Sequence, residues 1–128
     1  MDNREKILQD VTPEKIAYYA VKILDNKKAK DIKLLKVDKK TVIADYFVIC
    51  TGNSVTQIKS LADELEYKLT DAGVPYLRIE GNASNEWRVL DLKDIIIHIF
   101  SNEARDFYKL EKLWADAEEI DIKNILTE

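Results

Sequence analysis

The side chains able to do chemistry are few and scattered. His98 is the chain's one histidine and Cys50 its one cysteine. A zinc site built from them would need carboxylates at no recognisable spacing. His98 lies between Ile97 and Ile99 in an apolar run, where a structural histidine with a satisfied hydrogen bond is the expectation. Cys50 ends the run Tyr46-Phe47-Val48-Ile49-Cys50 and reads as a small core residue, not a nucleophile. With no second cysteine there is no internal disulfide, which suits a reducing cytoplasm. Two-metal phosphoryl transfer needs convergent carboxylates. Asp91 and Asp94 are close in sequence, but they belong to a turn expected to be exposed; Asp63 and Glu64 read as a solvated helix face. There is no Walker lysine motif, no Gly-x-Gly-x-x-Gly and no Gly-x-Ser-x-Gly elbow. No cofactor and no metal is expected.

Two other stretches invite function. Thr51-Gly52-Asn53-Ser54 joins a strand to a helix, and its backbone N–H groups offer a place for an anion, although most such turns are only connections. The second stretch is a hairpin. Trp87 begins it beside a polar loop, and Leu92 occupies the tip of the charged turn Asp91-Leu92-Lys93-Asp94. Two large apolar residues flanked by Glu86, Asp91 and Asp94 have the make-up of an interface, an apolar anchor with an acidic rim. For Trp87 a partial core role is equally good; for Leu92 the interface reading is the better one.

The elements that must position these residues follow from period and punctuation. A polar leader, 1–11, is expected to be weakly structured unless Ile7 and Leu8 dock. Thr12 caps a helix with Pro13 at its first position and Glu14 in its first turn. Ile16, Ala20, Ile23 and Leu24 give that helix an apolar stripe to about Asn26. A strand at 32–37 and the central strand 46–50 follow. Ser54 and Gln57 form a capping box for the longest helix, which runs to about Ala72. Its buried face is Ile58, Leu61, Ala62, Leu65, Leu69 and Ala72; Gly73 caps it and Pro75 stops it. Strands at 76–80, 87–90 and 95–100 come next, the last two as a hairpin. Ser101 caps a helix from about 102 to 114, with Phe107, Leu110, Leu113 and Trp114 as its stripe. The tail, 115–128, either forms a short helix or docks on a partner. The order α-β-β-α-β-β-β-α predicts a single α/β domain over 1–114, with one mixed sheet of about five strands and packed helices. The run Ile95-Ile96-Ile97 should be covered on both faces, or on one face plus a partner.

The bulk numbers agree. The chain has 128 residues, 46% of them apolar and 34% charged, with 3 Gly and 2 Pro. Nothing resembles a signal peptide or a membrane span. A net charge of −4 argues against a surface that grasps nucleic-acid phosphates, apart from a lysine cluster at 27–40. A protein of this charge working near RNA would take a basic protein as its partner.

The ordered blocks Ala44-Asp45-Tyr46-Phe47-Val48-Ile49, Thr51-Gly52-Asn53-Ser54, Glu80-Gly81, Trp87 with Leu90-Asp91 and Asp94, His98, and Arg105 with Phe107-Tyr108-x-Leu110-Glu111-x-Leu113-Trp114 resemble the ribosomal silencing factor (Iojap-like) family. The match spans roughly two-thirds of the chain, 27–114. The resemblance implies a nucleotidyltransferase-like fold without the catalytic carboxylates, and no enzymatic activity. It implies a translational repressor that binds large-subunit ribosomal protein fourteen and blocks joining of the small subunit when nutrients are scarce. Trp87, Asp91, Leu92 and Asp94 are then the expected partner-binding residues. A cytoplasmic location and little direct nucleic-acid binding follow; a homodimer stays open. The alternative is a nucleotide-binding or nucleotidyltransferase enzyme using the Thr51–Ser54 turn. Two positions depart from the family pattern: Lys93 stands where glycine is frequent, and Asn102 where proline is.

Overall fold

The computed structural model describes residues 12–127, so the leader with Ile7 and Leu8 lies outside the described residues. The Thr12 hydroxyl accepts a hydrogen bond from the Lys15 N–H at 3.3 Å, and Pro13 opens helix α1 (Pro13–Asn26). Ile16, Ala20, Ile23 and Leu24 are all buried, as the helical spacing requires. Strand β1 (Lys30–Lys36) leads to β2 (Tyr46–Thr51), which is buried along its whole length. Helix α2 (Val55–Asp71) starts at the expected cap. The Gln57 N–H donates to the Ser54 hydroxyl at 3.1 Å, and the Gln57 side chain reaches back to the Asn53 N–H, one residue before the usual target of a capping box. Gly73, at φ 98°, closes the far end.

Strands β3 (Arg78–Gly81), β4 (Trp87–Asp91) and β5 (Ile95–Phe100) complete the expected set. A sixth strand was not expected. It is β6 (Glu118–Ile120), in the stretch after Trp114. The sheet order is β3-β4-β5-β2-β1-β6. β2 and β5 run parallel at its centre, and the other pairs are antiparallel. β2 is buried throughout and β5 everywhere except Ile96, which is why these two strands read as continuous apolar runs.

Each face of the sheet carries its own core. On one face, α1, α2 and the short α5 (Lys123–Leu126) pack over Leu34, Val48, Cys50, Leu90, Ile95, Ile97 and Ile99. On the other, a smaller cluster of Leu35, Val37, Ala44, Phe47, Ile49 and Phe100 lies under α3 (Asn102–Tyr108) and α4 (Leu110–Leu113), through Ala104, Leu110 and Trp114. The expected single helix over 102–114 is therefore two. Lys109 takes a left-handed conformation, φ 50°, between them. The break rotates the expected stripe: Leu110 and Trp114 stay half-buried, while Phe107 and Leu113 are exposed.

Arg105 braces this elbow. Its Nε–H donates to Glu111 at 2.6 Å and its guanidinium also donates to the buried Thr51 hydroxyl at 2.7 Å. Lys33 pairs with the same Glu111 at 3.2 Å. The hydrogen bond from Arg105 is the main reason the Glu111 carboxyl is held below its ordinary pKa.

Candidate functional site

Side chains alternate along a strand, so the two sides of β4 separate cleanly. Leu90 is buried under α2 and the main core, and Leu92 follows it at the same parity. Leu92 is only 5% exposed and belongs to that core. This corrects the expectation of an exposed tip: one residue past the end of β4 the alternation of the strand still holds, and the side chain joins Leu90 in the core and anchors the turn from beneath. The turn backbone fits this placement, since the Leu92 N–H donates to the Ile95 carbonyl at 2.9 Å. Lys93 then takes φ 73°, the left-handed region where glycine is the easy choice. The lysine keeps the turn in that geometry. Its N–H donates to the Asp91 carboxylate at 2.8 Å, and its ammonium lies 4.9 Å from the centre of the Tyr76 ring.

Trp87, Val89 and Asp91 occupy the opposite side of β4, facing Phe100, His98 and Ile96 of β5 in register. Trp87, Val89, Asp91 and Ile96 are half-buried, and Asp94 is exposed beside them. The elbow of α3 and α4 covers β1, β2 and the Phe100 end of β5 and reaches Trp87 through Tyr108, and the rest of the β4 half, at Val89, Asp91 and Ile96, is left open. A shallow, mostly apolar dimple of about 200 Å³ lies there, lined by Glu80, Gly81, Asn82, Trp87 and Val89. Three of the four expected partner-binding residues thus reach one face, and Leu92 does not.

Trp87 is held from several directions. Its ring stacks on Phe100 at 5.1 Å between centroids and lies 4.6 Å from Tyr108. Its indole N–H donates to His98 Nδ1 at 3.2 Å, and its backbone N–H donates to the Asn82 side chain. Phe107, 79% exposed, meets Tyr108 edge-on at 5.0 Å, so an aromatic ridge runs from Trp87 to the tip of α3. Sequence period put Phe107 on the apolar stripe of an unbroken helix and gave Tyr108 no face, so neither was read as a surface residue. The alternation Trp87, Val89, Asp91 was available and would have added Val89.

The acidic rim is smaller than the composition suggested. Glu86 accepts a hydrogen bond from the Ser101 hydroxyl at 3.1 Å, and that hydroxyl also caps α3 by accepting from the Ala104 N–H, so Asn102 serves as the first helical residue without proline. Glu80 pairs with Arg78 at 2.9 Å. Asp91 and Asp94 are in none of these ion pairs, whereas Glu80, which lines the dimple, is held by Arg78.

The groups with acid–base or nucleophilic chemistry are committed to packing. Burial pushes the Cys50 thiol up to about 12 and lowers His98 to about 4. At the Thr51–Ser54 turn, the Gly52 N–H donates to the Phe100 carbonyl at 2.8 Å and the Asn53 N–H to Gln57. A Cβ at Gly52 would sit 2.8 Å from the Ile58 side chain, so glycine here serves close helix–strand packing. Among the described residues no helix is long and apolar enough to cross a membrane.

Comparison with known proteins adds the last observation. A family model described as "Ribosomal silencing factor during starvation" matches residues 10–128. The ribosomal silencing factor of Halalkalibacterium halodurans is 34% identical over 114 residues, covering 89% of this chain and 97% of that protein. The ribosomal silencing factor of Bacillus subtilis is 39% identical over 93 residues, covering 73% and 79%. A crystal structure of a Chromobacterium violaceum protein superposes with a TM-score of 0.78 at 34% identity, covering 82% of this chain and 88% of that one.

Proposed function

The chain belongs to the ribosomal silencing factor family, and on that premise we propose that it represses translation by occupying the large ribosomal subunit. Its partner there is ribosomal protein fourteen, and the bound factor blocks joining of the small subunit. The observation that carries this reading is the open half of the sheet. Trp87 stands there as a half-buried aromatic, joined to Tyr108 and Phe107, with Asp91 at the far end of the same strand and Asp94 in the turn beyond it. An aromatic already packed on its own side loses little freedom on binding, which is how central anchors supply most of an interface's energy. The carboxylates complement a basic surface and steer encounter more than they hold it.

The factor acts by steric exclusion in the cytoplasm, as a binding protein and not an enzyme. The packed state of Cys50 and the neutral, buried His98 support that, as does the use of the Gly52 and Asn53 N–H groups by the chain itself. Co-sedimentation with isolated large and small subunits is the direct test. The expected result is pelleting with large subunits alone, without nucleotide, and loss of subunit joining in proportion to occupancy. Trp87→Ala, once shown to melt like the wild type, should weaken binding by about 30-fold. A requirement for ATP or GTP, or pelleting with small subunits, would sink the proposal.

A further inference from the structure

Taking the open face as the one that meets the large subunit, we propose that His98 is a positioning residue: its Nδ1 accepts the Trp87 indole N–H and so fixes the angle at which the tryptophan is presented. The indole N–H is a donor only, and a half-buried one wants an acceptor. The three rings around it, those of Phe100, Tyr108 and His98, include one strong in-plane acceptor, the imidazole nitrogen 3.2 Å away. A hydrophobic residue at 98 would fill the space and leave the indole N–H without that acceptor, so that ring packing on Phe100 and Tyr108 alone would set its angle.

The surroundings of His98 fit this single task. It sits between its cross-strand neighbours Ile49 on β2 and Val89 on β4. Its ring is stacked on Phe100, with planes 7° apart, and meets Phe47 edge-on at 5.7 Å. These contacts hold the imidazole still, so that its nitrogen is a fixed reference point. A neutral imidazole that accepts at Nδ1 carries its proton on Nε2. The packing therefore selects one tautomer, and that tautomer is the one able to receive the indole. The chain of contacts runs from the buried Phe47 through His98 to an aromatic at the surface.

Two substitutions separate packing from positioning. His98→Phe keeps an aromatic ring and removes the acceptor. His98→Asn removes the ring and keeps an oxygen where Nδ1 stood. The Trp87 indole resonance reports the hydrogen bond without any partner, and binding to isolated large subunits reports its consequence. In His98→Phe the indole resonance should move and lose protection from exchange, and affinity should fall roughly fivefold, the cost of ordering one mobile side chain on binding. His98→Asn should restore the resonance and most of the affinity. A His98→Phe variant that loses the hydrogen bond yet binds as the wild type does would overturn the positioning role. So would a wild-type imidazole that proves, by nitrogen-15 correlation, to be protonated at Nδ1; that measurement needs no variant to fold. If wild-type protein fails to bind large subunits at all, the ribosomal reading fails, while the indole and imidazole spectra still decide the hydrogen bond.

Discussion

At the scale of single residues, one side chain links acid stability to the open face. His98 is held neutral by burial, with its pKa lowered from 6.5 to about 4. The unfolded chain binds a proton at this position below about pH 6.5, and the folded chain does so only near pH 4. The contribution is therefore fully present above pH 6.5 and is lost as the pH falls to 4. Its size is about 3 kcal/mol at most. Urea melts at pH 7.5, 5.5 and 4 should show this loss in the wild type. His98→Phe should lack that part of the slope, leaving the carboxylates to account for the remainder. Equal slopes in the two proteins would mean the imidazole is solvated after all.

At the scale of elements, the ends of helices decide where functional groups stand. The Ser54 hydroxyl satisfies one N–H at the start of α2, and Gln57 satisfies another just outside it. Ser54→Ala should lower stability by about 1 kcal/mol, read from a denaturant midpoint at unchanged slope, and should leave ribosome binding intact. No shift in the midpoint would show that the cap contributes nothing. The elbow at Lys109 matters in a different way. Arg105, Glu111, Lys33 and Thr51 tie α3, α4, β1 and the end of β2 into one cluster. Tyr108 and Phe107 lie on the helix that Arg105 ties to the end of β2. Arg105→Met should cost about 1.5–3 kcal/mol, the range for a hydrogen bond to a charged group, and should weaken subunit binding beyond what the stability loss explains. Unchanged binding in a folded variant would separate the elbow from the interface.

At the scale of the whole molecule, the stretch after Trp114 closes the structure. β6 pairs with Leu34, Leu35 and Lys36, covering the edge of β1, and Ile125 enters the main core at 4% exposure. Ile120, Ile122 and Leu126 pack against the same core. A chain ending at Trp114 should lose at least about 3 kcal/mol, the burial of two large aliphatic side chains. It should also self-associate through the bared β1 edge. Urea melts and gel filtration of the shortened chain would show both. A shortened chain that stays monomeric and melts like the full one would make this stretch dispensable.

The elements were legible in the sequence because each carries its own local signal: Thr12-Pro13 and Ser54 at helix starts, Gly73 and Pro75 at a stop, and the four-residue turn that joins β4 to β5. The family was legible from ordered blocks between Ala44 and Trp114, and so was the place of Trp87, Asp91 and Asp94 on one hairpin. Three things were decided only by tertiary contacts. Leu92 looked exposed because its neighbours in sequence are charged, but the side it faces depends on strand register, and register put it with Leu90 under α2. The helix break at Lys109 has no proline or glycine to announce it; it answers to the Arg105–Glu111 brace and to Trp114 packing edge-on against Phe47. The sixth strand is three residues with two glutamates, too short and too polar to show a period, and it exists because β1 offers it an edge. Local propensity and spacing act within a few residues along the chain, whereas burial, register and the pairing of distant charges exist only once the sheet has formed.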